Sequence, residues 1–270
     1  MKLARPAQRA ARLALAAVAG AAFLVGAGTA QAAPTAPTLN PDPIPDSFDF
    51  SDCPPLPEGS DPNFSRCVSV VVTSGTFQLG KFDQSIDEPI KMTFANAYDP
   101  KTFKYTAIFG KLRAKPMLVQ PGLFGDPLLS AVYAQPEYAG VFDQPTSADF
   151  HIKLGLKIRL VNPFLGSNCR VGSDSNPITL ELTTGTTSPP APNTPITGEP
   201  AKVARTDPPP TVRSAKHVDN AFAVPGAKGC VFGGGIADWL VNQVGGFPSA
   251  GGKNTVIENE YLVIKSYSEL

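Results

Sequence analysis

Phe150, Ile152, Leu154, Leu156, Ile158 and Leu160 alternate with other residues across 150–161. Six apolar side chains at a period of two specify a strand with one buried face. Weaker versions of the pattern run over 67–73, 76–82, 89–95, 103–109, 178–182 and 256–267. Ser74-Gly75 reads as a turn or a bulge between two of them. Residues 118–139 are apolar but broken by Pro121, Pro127 and Pro136, and give no period. No long helical pattern separates the strands, so a parallel α/β sheet is not expected. One short helix is expected over 236–244, with Ile236, Leu240 and Val244 on one face and Gly245-Gly246 ending it. The expected fold is all-β: an antiparallel β-sandwich or barrel-like domain with a short helix near the C-terminus and a Pro-rich excursion. With 24 glycines, 29 prolines and only 17% charged residues, the composition suits turn-rich sheets.

The N-terminus reads as an export address. Lys2, Arg5, Arg9 and Arg12 precede an apolar run over 13–28, and Ala30-Gln31-Ala32 offers small residues for cleavage. The run is shorter than the ~20 residues a spanning helix needs, and no second apolar segment approaches that length. The organisation expected is a signal peptide over 1–32, a Pro-rich flexible arm over 33–52 and a single β-rich domain over 53–270. Cleavage removes four bases and no acid, leaving a mild acidic excess that argues against nucleic acid as a partner. The expected location is secreted, extracellular, with no transmembrane segment after cleavage.

Four cysteines, Cys53, Cys67, Cys169 and Cys230, read as two disulfides in an exported chain. Three pairings are open. Loop length favours Cys53–Cys67, which leaves Cys169–Cys230. Neither a C-x-x-C redox motif nor zinc-ligand spacing occurs. The stretch 188–210 holds eight prolines and would be a linker by composition. Enclosed by a Cys169–Cys230 bridge, it becomes a loop of one domain.

The chemistry-bearing residues are few. Only His151 and His217 could serve as a catalytic imidazole, and no G-x-S-x-G elbow is present. His151 falls on the polar face of its strand. Glu258 and Glu260, or the cluster Asp83, Asp87 and Glu88, could form the carboxylate pair of a glycosidase, but solvated surface is the expectation for both. Asp174 and Asn176 lack the rest of a calcium ligand set and read as a turn. Gly233-Gly234-Gly235 lacks the spacing and lysine of a P-loop and reads as a turn into the helix. No catalytic residue, cofactor or metal site is expected.

One pattern points to a ligand. Lys111, Arg113 and Lys115 are two apart, and so, with an interruption at Gly155, are His151, Lys153, Lys157 and Arg159. On strands, each set presents a basic stripe on one face. No acid lies between Asp99 and Asp126 or between Asp149 and Asp174. The stripes are candidate anion-binding residues for an anionic cell-envelope polymer or lipid head groups. The expected function is therefore a non-catalytic extracellular or cell-envelope binding or structural protein. The alternative is a secreted hydrolase using a carboxylate pair.

The run Asn162-Pro163-Phe164-Leu165-Gly166-Ser167-Asn168-Cys169 continues through Ile178-Thr179-Leu180-Glu181-Leu182-Thr183-Thr184-Gly185-Thr186-Thr187. With Val218-Asp219-Asn220-Ala221-Phe222-Ala223-Val224-Pro225 and Gly229-Cys230, it resembles a group of uncharacterised secreted proteins of actinobacteria over roughly residues 53–259. The resemblance implies export and supports the cysteine framework. It implies no catalytic residue, ligand or partner.

Overall fold

Strict alternation of apolar residues builds two antiparallel sheets that press their inner faces together. The computed structural model describes residues 40–119, 131–144, 151–231 and 236–270. The signal segment, the start of the arm, Pro121, Pro127, Phe150 and Gly233–Gly235 lie outside the described residues. The strands are β1 (Arg66–Leu79), β2 (Phe82–Ser85), β3 (Ile90–Asp99), β4 (Lys104–Arg113), β5 (Met117–Leu118), β6 (Tyr133–Asp143), β7 (Ile152–Val161), β8 (Arg170–Val171), β9 (Ile178–Leu182), β10 (Glu199–Arg205), β11 (Val212–Asp219), β12 (Ala227–Lys228) and β13 (Thr255–Ser266). One helix, α1 (Ile236–Gly245), precedes β13, and a short 3-10 turn follows it. The first sheet runs β10-β11-β13-β1-β3-β4, with β2 pairing the far end of β1. The second runs β12-β8-β7-β6-β5, with β9 beside β7. The all-β expectation is met. No helix among the described residues is long and apolar enough to cross a membrane.

The core forms where the inner faces meet. Val68, Val70 and Val72 of β1, Met92 and Phe94 of β3 and Val256 and Leu262 of β13 face Ile152, Leu154, Leu156, Ile158 and Leu160 of β7. All are nearly excluded from water. At ~1.5–3 kcal/mol for each large side chain buried, this row is the main source of stability.

Residues 67–82 are one strand and a hairpin return rather than two strands joined at a turn. β1 pairs β13 along its whole length, and the register shifts between Val72 and Ser74. Ser74-Gly75 is thus a bulge. Gly75 has φ +143°, and a Cβ there would lie 1.9 Å from the Ile257 carbonyl oxygen, so only glycine lets the strands stay paired.

Three further expectations change. Residues 40–52, expected as flexible arm, lie on the outer face of the first sheet. Ile44, Phe48 and Phe50 cover Val212, Tyr261 and Val263. Tyr261 Oη donates to the Asp42 carbonyl at 2.6 Å, and Ser69 Oγ to that of Asp49 at 2.8 Å. An apolar cover for an apolar outer face outweighs the disorder that proline content suggests. Within the Pro-rich stretch, Glu199–Arg205 pairs with β11 as an edge strand, where Pro200 breaks no ladder. Finally, α1 buries Ala237, Val241 and Gly245 and leaves Ile236 64% exposed, so its inner face is turned one position from the expected one.

The disulfides are Cys53–Cys67 and Cys169–Cys230, as loop length favoured. The first ties the arm to the start of β1. The second joins the turn entering β8 to the segment leaving β12.

Candidate functional site

Two groupings of polar side chains stand out, one sealed between the sheets and one on the surface.

Glu258 and Glu260 are not solvated. They share the inward face of β13 with Val256 and Leu262 and are 7% and 3% exposed. His217 of β11 stands opposite Glu258 across the ladder and is wholly buried. Its Nδ1 lies 3.1 Å from Glu260 Oε1. The carboxylates border a cavity of about 20 Å³, otherwise walled by apolar side chains such as Phe77, Met92, Leu154 and Leu182. Burial, and then the neighbouring Glu260 charge, push Glu258 up to about 7. A cavity that small holds roughly one water. No sugar ring fits between these acids, which corrects the reading of the pair as a solvated surface that might serve a hydrolase. The sequence carried a signal: Glu258 and Glu260 have the parity of Val256 and Leu262. His217 had no such signal, because the run from Val212 to Asp219 is buried on both faces.

The basic stripes are on strands of different sheets. Lys111 and Arg113 project from the outer face of β4, and Lys115 follows that strand. Together with Lys91 of β3 they line an open groove of about 480 Å³, whose other wall is Gln135, Pro136, Glu137 and Tyr138 of β6. Acids from elsewhere in the chain meet these cations. Arg113 Nη2 donates to Asp52 Oδ1 at 2.9 Å, Lys111 lies 3.9 Å from the same carboxylate, and Lys115 binds Glu88 at 2.9 Å. The Arg113 guanidinium holds the Asp52 carboxyl below its ordinary range. Asp52 is far from Arg113 in sequence, so scanning for nearby acids could not find it.

The second stripe lies on the outer face of β7. His151 and Lys153 both contact Glu181, and Lys157 pairs with Asp174, whose turn is closed by Ser173 and Asn176. Glu181 holds Lys153 above its ordinary range. Arg159 differs: its Nε is shielded from solvent and has no hydrogen-bond partner among the described residues.

Two cations absent from the sequence reading complete the surface. Arg159 is the register partner of Arg170 on β8, and Arg170 is the partner of Lys228 on β12. Direct partners in an antiparallel ladder share a face, with Cβ atoms ~4.5–5.5 Å apart. The row therefore sets three cations side by side. Glu137, binding Arg170 at 2.8 Å, is the acid paired with it among the described residues. The two stripes lie on the outer faces of different sheets and do not touch; Gln135 of β6, the register partner of Arg159, also lines the groove beside Lys111 and Arg113. No protein-family model, curated protein or solved structure matches this chain.

Proposed function

We propose that this chain is an exported, non-catalytic binding protein that holds an anionic component of the cell envelope on its cationic band. The observation that carries the reading is the Arg159–Arg170–Lys228 row, three adjacent cations met by one carboxylate, Glu137, among the described residues. The like charges repel in the free protein, and a polyanion laid across them relieves that repulsion. The groove beside Gln135 adjoins the row, and its Lys115–Glu88 pair is exposed on both partners, so that lysine can exchange to an incoming anion. The signal-like N-terminus and two disulfides support work in an oxidising, extracellular setting.

The test is a titration with inorganic polyphosphate at low and at physiological salt. Three phosphate contacts lose roughly 40-fold in affinity between about 50 and 200 mM salt if counterion release resembles that on duplex DNA. Binding with that dependence, and no consumption of the polymer, supports the reading. Absence of binding at low salt contradicts it.

A further inference from the structure

We propose that the anion held by this band is the headgroup layer of a lipid bilayer, and that Phe164, Val231, Ile236 and Trp239 dip into that bilayer beside it. This rests on the cationic band being the binding surface.

The four apolar side chains come from three segments that the fold fastens together. Phe164 lies in the connection between β7 and β8. Val231 follows β12, and its amide donates to the Leu165 carbonyl at 3.1 Å. Asp238 in the first turn of α1 accepts from the Cys230 amide at 2.7 Å, which fixes the helix against the same segment. The Cys169–Cys230 disulfide closes the group. The side chains are 53–65% exposed. Because α1 turns Ala237 and Val241 inward, Ile236 and Trp239 are left on its outer side.

The surroundings select the occupant. The rim sits where β7, β8 and β12 end, the end that also carries Arg159, Arg170 and Lys228. Apolar tips flanked by a cationic row match an anionic membrane interface, where tryptophan and phenylalanine settle at headgroup depth. Neither the groove between β4 and β6 nor the cavity beside Glu258 is lined by any of the four residues. A second copy meeting face to face through this rim would bring two cationic rows together.

The chain has one tryptophan, so its emission reports Trp239 alone. The experiment adds vesicles of phosphatidylglycerol and phosphatidylcholine, or of phosphatidylcholine alone, to the mature protein and follows emission and co-sedimentation. Polyphosphate binding is measured in parallel. The expected result is a saturable blue shift with the anionic vesicles, weakened by salt and much reduced with phosphatidylcholine. Val231→Ser with Ile236→Ser should lower vesicle binding at least about tenfold, given the transfer free energy of two aliphatic side chains, and leave polyphosphate binding intact. Polyphosphate binding without a vesicle response overturns the lipid assignment and leaves the polyanion reading standing. Failure of both overturns both. A blue shift that grows with protein concentration in the absence of vesicles assigns the rim to a second copy and likewise overturns the lipid assignment.

Discussion

Changing Glu258 to Gln should remove a pH dependence of stability that the fold builds into its core. In the folded protein the carboxyl is held at about 7 against an ordinary value of 4.5. The folded state therefore binds more protons than the unfolded chain between those values. The stabilisation from the protonated acid is complete below pH 4.5 and is lost as pH rises through 7. The difference in pKa corresponds to about 3 kcal/mol. For a chain of this size that is a fall in Tm of roughly 6–12 °C. The cause is local: among the described residues, the other titratable groups facing Glu258 are Glu260 and His217, and apolar side chains from both sheets make up the remaining wall. Glutamine keeps the shape of the protonated acid and cannot ionise. Thermal or urea unfolding of both proteins from pH 4.5 to 8 should show the wild type losing stability relative to the variant by that amount. Parallel profiles would refute the placement of Glu258 in a water-poor core.

Replacing Cys169 and Cys230 with Ser should cost ~4 kcal/mol, against ~3 for Cys53 and Cys67, because the loop closed is 61 residues rather than 14; urea midpoints of the two double variants order them. Tyr261→Phe should cost about 1 kcal/mol by removing the hydroxyl that holds the arm, and limited proteolysis should then cut first within 40–52. Gly75→Ala should destabilise by about 3 kcal/mol, since the new Cβ meets the Ile257 carbonyl and the backbone there is at positive φ; a variant as stable as the wild type would remove the bulge from the account.

How far the sequence could be read followed from how local each determinant is. The alternation over 150–161 is local and places β7 in the core directly. The bulge at Ser74-Gly75 needed the partner strand, because only pairing of β1 with β13 on both sides of it distinguishes a bulge from a turn. Residues 261–263 are apolar on both faces because the arm covers the outer one, and that cover comes from the other end of the chain. The inward parity of Glu258 and Glu260 was visible but ran against the rule that carboxylates stay in water. For the cations, two effects were invisible. Asp52 and Glu88 reach the first stripe across the fold. Arg170 and Lys228 join Arg159 only through the register of three strands.

The binding account rests on that row, and the slope of polyphosphate affinity against salt tests it most directly. Arg159→Gln, Arg170→Gln and Lys228→Gln together should flatten the log–log slope by about two to three, while Lys202→Gln on the edge strand β10, away from the band, should leave it unchanged. Equal slopes for the wild type and the triple variant would contradict the assignment of the band as the anion-binding surface.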